Sequence, residues 1–305
     1  MDRAITFHAD LSDGLNRRGI HLDEIKRMIK TIPWQTTDHG TRFHVSGPSF
    51  EVHCVSEEDE VFVDNVFLNE GRKTTFILFD VDGTLLSSHG VGRAAISSAL
   101  ARVYGTEGPM DTYPFSGKLD PNIIRELMAQ AGFSDSVIEK GLQSCLQYYI
   151  EELSARMTPR KVTLKPGIRE LIAHLHARPH TYLALCTGNI PEGARLKTRM
   201  AGLDDYFLTG AFGNDALDRN GLPPVAVRRL QHRLLIRGIP HRTIVIGDAP
   251  VDIQSAHHNR NLSVAVATGA HSREELSVYQ PHLLVDSFAD PSPFFKWMEE
   301  ILEES

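Results

Sequence analysis

The sequence has little of what marks secreted or membrane proteins. Its 305 residues include three cysteines, Cys54, Cys145 and Cys186, an odd number at wide spacing that fits neither a disulfide framework nor a metal site. No uninterrupted apolar run approaches the roughly 20 residues that a membrane-spanning helix needs. Residues 1–12 lack the apolar core of a signal peptide and contain Asp2 and Asp10. We therefore expect a cytoplasmic protein without a membrane partner.

The sequence also lacks an excess of positive charge. It has 32 Lys and Arg against 39 Asp and Glu, a net charge of −7, which argues against a general nucleic-acid-binding surface. Residues 1–72 alone carry eight basic and thirteen acidic side chains, a net charge of −5, so this segment offers no basic face either. No Gly-x-Gly-x-x-Gly motif follows a candidate strand, which disfavours a dinucleotide-binding fold.

The most informative stretch that is present runs from Thr75 to Leu86. Its first residues form a short, continuous apolar run, the pattern of a strand that is buried on both faces in a parallel sheet. Asp80 and Asp82 follow two residues apart, so they point the same way in an extended chain, and Gly83 permits a turn. Ligands of open α/β sheets bind outside the carboxyl ends of strands. The two carboxylates are therefore candidate site residues, although such a pair is also common in ordinary turns.

Two later candidate strands end in polar residues as well. These residues are Thr187, Gly188, Asn189 and the helical Lys197 after the strand Thr181–Cys186, and Asp248 and Asp252 after the strand Thr243–Gly247. From Pro166 onward, candidate strands and helices alternate, among them a helix over Pro224–Gly238 and a strand over Leu283–Val285. This alternation predicts an α/β fold with a doubly wound, mostly parallel sheet.

Taken in order, these groups resemble the four signature motifs of the haloacid dehalogenase superfamily, and most of all its phosphoglycolate-phosphatase-like branch. The resemblance covers about residues 76–305. It implies a Rossmann-like hydrolase core formed by residues 73–89 and 164–305, with a helical cap inserted at residues 90–163. Residues 1–72 precede the signature. The amphipathic pattern of Gly19–Lys30 predicts a helix in them, and three stretches are β-like: Thr41–Val45, Phe50–Val55 and Val61–Leu68. Together they predict a small N-terminal α+β module with an antiparallel meander.

The resemblance implies a Mg²⁺-dependent phosphatase that acts on a small phosphorylated metabolite. Asp80 would be the nucleophile that forms an aspartyl phosphate, and Asp82 the general acid and then the general base. Mg²⁺ prefers oxygen ligands, which we expect from the carboxylates of Asp80 and Asp248 and the backbone carbonyl of Asp82. Asp252, one helical turn later, would join this group or orient a metal-bound water or Lys197. Taken singly, Asp248 and Asp252 also fit a helix N-cap and a first-turn acid.

The remaining expected site residues bind the substrate. The Thr187 hydroxyl and the backbone N–H groups of Gly188 and Asn189 would hold the phosphoryl group at the start of a helix, and Lys197 would neutralise its charge. Taken alone, a helical lysine usually faces solvent. Lys118 lies in a segment that resembles the part of the cap facing the active site, and it is a candidate substrate contact or a solvated lysine.

Two other functions stay open on the sequence. A phosphomutase of the same superfamily would pass the phosphoryl group to a sugar phosphate instead of water. A regulatory binding protein would use residues 1–72 and keep only a vestigial hydrolase site. The N-terminal module is a candidate for dimerisation, for a protein contact, or for a structural appendage packed on the core.

Overall fold

The fold is that of a computed structural model. It describes residues 4–7, 9–17, 20–31, 35–36, 42–46, 50–57, 60–68, 74–178, 180–234 and 241–303. The described strands and α-helices, in chain order, are β1 (Ala4–Phe7), α1 (Ala9–Arg17), α2 (Leu22–Thr31), β2 (Gln35–Thr36), β3 (Arg42–Ser46), β4 (Phe50–Glu57), β5 (Glu60–Leu68), β6 (Thr74–Phe79), β7 (Leu86–Ser87), α3 (Val91–Tyr104), α4 (Asp120–Gln130), α5 (Asp135–Arg156), β8 (Thr163–Leu164), α6 (Ile168–Ala177), β9 (Thr181–Cys186), α7 (Pro191–Met200), β10 (Thr209–Ala211), α8 (Leu222–Leu234), β11 (His241–Gly247), α9 (Pro250–His258), β12 (Leu262–Val266), α10 (Arg273–Ser277), β13 (Leu283–Val285) and α11 (Ser292–Glu303).

A six-stranded sheet forms the centre of the fold. Its strand order is β10-β9-β6-β11-β12-β13, and each pair of neighbours is parallel. The doubly wound parallel sheet predicted from the alternating strands and helices is confirmed. β6 and β9, which carry the predicted site residues at their ends, are buried along their whole length, as expected for central strands covered on both faces.

Alternate residues of the strands face two different helical layers. Ile77 and Phe79 of β6 pack in a cluster with α6, α7 and α11, whereas Phe76 and Leu78 pack in a second cluster with α8 and α9. This follows from the two-residue repeat of a strand, which sends successive side chains to opposite faces. Because neighbouring strands are parallel, the polar groups that follow their carboxyl ends lie at one edge of the sheet.

The predicted cap, called here the cap region (residues 90–163), contains α3, α4 and α5. These helices surround an apolar cluster of their own, which includes Ile124, Leu127, Cys145 and Tyr149. Two short antiparallel strands, β7 and β8, pair with each other at the two places where the chain leaves and re-enters the core. The cap region is therefore tied at its base by a two-stranded connection.

The N-terminal segment forms a separate five-stranded sheet with the order β1-β5-β4-β3-β2. β3, β4 and β5 correspond to the three predicted β-like stretches and pair antiparallel, as predicted. The sequence analysis did not predict β2, an antiparallel neighbour of β3, or β1, a parallel edge strand beside β5, or the helix α1. The predicted boundary near residue 72 lies outside the described residues, as do the predicted helix start at Gly19 and strand start at Thr41. The predicted end of α8 at Gly238 also lies outside them.

Cys54, Cys145 and Cys186 are buried and free of disulfides. Within the described ranges, every helix is too short or too polar to cross a membrane.

Candidate active site

Most of the predicted site residues line a cavity at the carboxyl ends of β6 and β9, whereas Asp248 and Asp252 lie beside Asp80 outside its wall. The cavity has a volume of about 220 Å³. Its wall includes the following residues from the core: Asp80, Asp82, Thr187, Gly188, Asn189, Lys197 and Arg219. The cap region contributes Arg93, Phe115, Lys118, Asp120 and Tyr149, among others. The cavity therefore lies between the sheet edge and the cap region.

Asp80 is fixed at the end of β6 by the sheet and by an arginine. Its backbone N–H continues the pairing with β11 by donating to the Ile246 carbonyl at 3.0 Å. Its carboxylate lies 2.8 Å from the Arg219 guanidinium, and both side chains are almost fully buried. A charged pair that is shielded from water in this way interacts far more strongly than one at the surface.

Arg219 holds a second carboxylate at the same time. Its Nε donates to Asp252 at 2.9 Å, and its Nη2 lies 2.7 Å from the same oxygen and donates to the Cys186 carbonyl at 3.1 Å. Although burial opposes its charge, Asp252 and Asp80 raise the pKa of Arg219. The guanidinium is therefore a permanent positive charge between the two carboxylates.

Asp80, Asp248 and Asp252 form an acidic cluster in which one carboxylate oxygen of each lies within 4.8 Å of the others. Burial, and then Asp80 and Asp252, raise the pKa of Asp248 well above its ordinary value. Burial also raises the pKa of Asp252, to about 6, although Arg219 opposes the shift. Three buried carboxylates share one guanidinium here, so the cluster has the charge and the oxygen donors to hold a divalent cation.

Local backbone structure makes room for Asp248. The Thr84 hydroxyl donates to its carboxylate at 2.8 Å. Gly83 has a φ of 90°, in the left-handed region, and any side chain at Gly83 or at Gly269 would overlap the Asp248 carboxylate. The turn after β6 therefore needs glycine for its conformation and for the approach of Asp248.

Asp82 belongs to a different network from Asp80. Its carboxylate accepts hydrogen bonds from Lys197 at 2.5 Å and from the Asn189 amide at 2.8 Å. Partial burial would raise the pKa of Asp82, but Lys197 and the hydrogen bonds from Asn189 and Ser88 lower it below its ordinary value. Asp82 is thus held as a carboxylate at the cavity wall.

Residues 187–190, called here the 187–190 loop, link the end of β9 to α7. The Asn189 side chain donates to the Thr187 hydroxyl at 2.9 Å and accepts from Lys197 at 2.5 Å. Lys197 is 3 % exposed, so it does not face solvent. Asn189 therefore connects Thr187, Lys197 and Asp82.

Lys118 lines the cavity from the cap region. Its ammonium donates to both carboxylate oxygens of Glu126, at 2.8 and 3.1 Å, and the lysine side chain is 38 % exposed. It is neither buried nor fully solvated.

A family model described as haloacid dehalogenase-like hydrolase matches residues 74–260. The chain belongs to the haloacid dehalogenase-like hydrolases. The matched residues include each strand end and helix that delivers the candidate core residues, and they also include the whole cap region.

Curated relatives of this haloacid dehalogenase-like hydrolase are phosphoglycolate phosphatases. The enzyme of Pseudomonas syringae pv. tomato is 25 % identical over 227 residues, which are 71 % of this chain and 78 % of that one. The enzyme of Synechococcus elongatus is 27 % identical over 216 residues, which are 70 % of this chain and 93 % of that one. A solved structure, the β-phosphoglucomutase of Clostridium difficile, superimposes with a TM-score of 0.54 at 18 % identity. It covers 76 % of this chain and 100 % of its own, and it shares the fold.

The site of this haloacid dehalogenase-like hydrolase contains two buried cations, Lys197 and Arg219, whereas the sequence analysis expected Lys197 alone. The sequence assigned Lys197 to the nucleophile and the phosphate, with Asp252 as a possible partner. In the structure Lys197 contacts Asp82, and the partner of Asp80 and Asp252 is Arg219. Both cations line the same cavity.

Arg219 is the site residue that sequence reasoning missed. It follows Asp218, whose carboxylate accepts from the N–H groups of Asn220 and Gly221 and so caps a short 3₁₀ turn over Arg219–Gly221. The local signal, Asp-Arg-Asn-Gly before the Pro-Pro that opens α8, reads as an ordinary turn. Only the tertiary placement of that turn against β9 turns Arg219 toward Asp80.

Proposed function

We propose that this hydrolase is a Mg²⁺-dependent phosphatase that hydrolyses a small phosphorylated metabolite through an aspartyl phosphate on Asp80. The observation that carries the proposal is the cavity into which the carboxylates of Asp80 and Asp82 both open, with a positive charge beside each. A phosphate ester resists attack because it is an anion, so a nucleophile with nearby cations and a separate proton carrier meets the need of this reaction.

In the proposed first step, an Asp80 oxygen attacks phosphorus and the bond from phosphorus to the ester oxygen breaks. Asp82, a carboxylate in the free protein, would take up a proton from solvent when the anionic substrate binds beside it, and it would give that proton to the departing alkoxide, which leaves as an alcohol. In the second step a water attacks phosphorus, its proton passes to the Asp82 carboxylate, and the bond to Asp80 breaks to release inorganic phosphate. The lowered pKa of Asp82 in the free protein favours the form that accepts this proton.

The Thr187 hydroxyl and the N–H groups of Gly188 and Asn189 would bind the phosphoryl oxygens. Gly188 suits this place because a side chain there would overlap the Lys118 carbonyl. The loop precedes α7, and the amino end of a helix favours anions. Lys197 and Arg219 would supply the remaining neutralising charge.

The acidic cluster fits Mg²⁺, since its oxygen donors carry more negative charge than Arg219 can balance. Asp80 and Asp248 would hold the ion with the Asp82 backbone carbonyl, and Asp252 would orient Arg219 beside them. When bound, Mg²⁺ supplies compensation for the charge shared by the nucleophile and the phosphoryl group.

We assign residues 73–89 and 164–305 to the hydrolase core, 90–163 to the cap and 1–72 to an accessory module. Each has its own apolar cluster, which supports the division. The cap would exclude bulk water during phosphoryl transfer. A cavity of about 220 Å³ admits a small substrate, and the activity of the relatives makes phosphoglycolate the first candidate. Lys118 lies where it could bind a second anionic group of such a molecule.

The test is phosphate release from p-nitrophenyl phosphate, phosphoglycolate and a panel of other metabolite phosphates, with Mg²⁺ or with EDTA. We expect release with Mg²⁺ that EDTA abolishes and added Mg²⁺ restores. Equal release in EDTA would contradict the metal assignment. No release from any substrate would contradict the phosphatase assignment.

The metal assignment predicts opposite effects of one substitution on apo and metal-bound protein. Asp248→Asn keeps the acceptor for Thr84 and removes a buried charge that the neighbouring carboxylates repel. In EDTA at pH 8 we expect the melting temperature of the variant to equal or exceed that of the wild type. Mg²⁺ should raise the melting temperature of the wild type and leave that of the variant unchanged.

The control for this prediction is Asp205→Asn, which removes an exposed carboxylate from the same core. Its response to Mg²⁺ should match the wild type in a thermal melt. A full Mg²⁺ response in Asp248→Asn would show that Asp248 is not a ligand.

A further inference from the structure

Asp120, the first residue of α4, joins the cap region to the 187–190 loop. Its carboxylate accepts the backbone N–H of Ile190 at 2.9 Å, and its own N–H donates to the Gly188 carbonyl at 2.8 Å. The backbone of Lys118, two residues before Asp120, lies so close to Gly188 that no side chain fits there. The cap region thus contacts the loop through backbone and side chain together.

The carboxylate of Asp120 is buried between the two parts of the protein. Asp120 is 6 % exposed, and it lines the cavity together with Tyr149 of α5, which is 1 % exposed. Lys197 lies near enough to act on it electrostatically. A buried carboxylate is costly unless polar groups compensate it, and those groups come from both the core and the cap region.

The core forms hydrogen bonds with the other side of the 187–190 loop. The Thr187 N–H donates to the Ala211 carbonyl at 3.0 Å, and the Gly213 N–H donates to the Asn189 carbonyl at 2.8 Å. Asn189 is the residue whose side chain connects Thr187, Lys197 and Asp82. The position of its backbone is therefore set by the core on one side and by Asp120 on the other.

We infer that Asp120 is a positioning residue, which holds Asn189 and the 187–190 loop in their working geometry only while the cap region contacts the core. The inference rests on the proposed function and deepens it. Asp120 does not touch the reacting atoms; it acts through Ile190 and Asn189 on the Lys197 and Asp82 pair. Lys197 and Asp82 then reach their working positions only when the cap region contacts the core.

The first test is amide hydrogen exchange, which needs no turnover. The variants are Asp120→Ala, which removes the acceptor of the Ile190 N–H, and Asp120→Asn, which keeps an oxygen there. The control is Asp135→Ala, because Asp135 is the exposed first residue of the next cap helix, α5. Exchange is followed in the intact protein on peptides spanning residues 186–192 and, as a measure of the core fold, 241–247.

We expect exchange in residues 186–192 to become at least about tenfold faster in Asp120→Ala, because the Ile190 N–H loses its partner. Asp120→Asn should recover most of the protection, and Asp135→Ala should match the wild type. Unchanged exchange in Asp120→Ala, or equal loss in Asp120→Asn and Asp120→Ala, would overturn the inference. If Asp120→Ala also loosens residues 241–247, the Asp120→Asn variant decides the question.

The second test is kinetic. A loop misplaced by about 1 Å can cost on the order of 100-fold in rate, so we expect kcat of Asp120→Ala to fall by about 10- to 100-fold, with a smaller loss in Asp120→Asn. Wild-type kcat in Asp120→Ala would overturn the inference. Absence of turnover in the wild type would instead refute the proposed phosphatase, and the exchange test of the loop would still stand.

Discussion

Asp80→Asn is expected to lower kcat for phosphate release by at least about 10⁴-fold, the scale seen when a nucleophile is removed from an active site. An amide oxygen is a poor nucleophile and forms no acyl phosphate. The change is nearly isosteric, and the amide oxygen can still accept from Arg219, so the fold should be retained. The measurement is inorganic phosphate release at saturating substrate and Mg²⁺, with thermal melts of both proteins as a check on folding.

Two observations separate loss of the nucleophile from a general loss of charge. Asp205→Asn, which removes an exposed acid of the same core, should keep wild-type kcat. Acid quenching of the wild type during turnover of a phosphate-labelled substrate should leave label on a peptide that contains Asp80, and the Asp80→Asn variant should carry none. Label on another residue, or substantial turnover by the variant, would show that Asp80 is not the nucleophile.

The sheet could be predicted because its signals are local. Each central strand is a short apolar run bounded by a turn, and the predicted Thr181–Cys186 and Leu283–Val285 agree with β9 and β13 to the residue. β10 was missed, since its Thr-Gly-Ala has little side chain to bury and its strand character depends on pairing with β9. The alternation of such apolar strands with helices therefore specifies the layers of the fold. A short edge strand such as β10, in contrast, depends on its neighbour in the sheet.

The site was predictable to the extent that its groups lie at strand ends. Asp80, Thr187 and Asp248 follow β6, β9 and β11, and parallel strands bring their carboxyl ends to one edge of the sheet. Which cation serves which carboxylate depends on contacts far apart in sequence. The pairs Lys197 with Asp82 and Arg219 with Asp80 span 115 and 139 positions, so residue spacing carried no information on them.

The role inferred for Asp120 shows a second limit of the sequence. Its position before a proline predicts the N-cap of a helix, a common feature that needs no function; in the structure Leu119 is the N-cap and Asp120 is the first residue of α4. Its meaning depends on the loop that α4 approaches, which belongs to a different part of the chain. A residue that links the cap region to the core can be recognised only when both are seen together.

Arg219→Met is expected to reduce both activity and stability. The apolar side chain fills similar space but leaves Asp80, Asp248 and Asp252 without their shared cation. Removing one member of a buried ion pair costs about 3–5 kcal/mol, so the free energy of unfolding in EDTA at pH 8 should fall by about that amount. With Mg²⁺ present, kcat should fall by about 10²- to 10³-fold, the cost of losing one preorganised electrostatic group. Denaturant unfolding and phosphate release measure the two effects.

Arg229→Met is the matched control, since Arg229 forms a bidentate ion pair with Asp215 on the outside of the same fold. The Arg229 side chain is 42 % exposed, and pairs of this kind contribute about 0–1 kcal/mol. Its variant should keep wild-type kcat and lose little stability. Equal losses in the two variants would mean that burial of the acidic cluster is not what makes Arg219 important.

The stability loss in Arg219→Met should also depend on pH, and the acidic cluster determines whether the loss grows or shrinks as pH rises. Burial raises the folded-state pKa of Asp252 to about 6 and that of Asp248 well above its ordinary value, so the folded protein binds more protons than the unfolded chain in this range. Such groups contribute stability below their unfolded pKa, near 4, and lose it as pH rises through the folded value.

Without Arg219 the carboxylates repel each other most when ionised. The difference between variant and wild type in EDTA should therefore be small near pH 5 and largest near pH 8. A difference that shrinks as pH rises from 5 to 8 would show that Arg219 does not serve to balance these carboxylates.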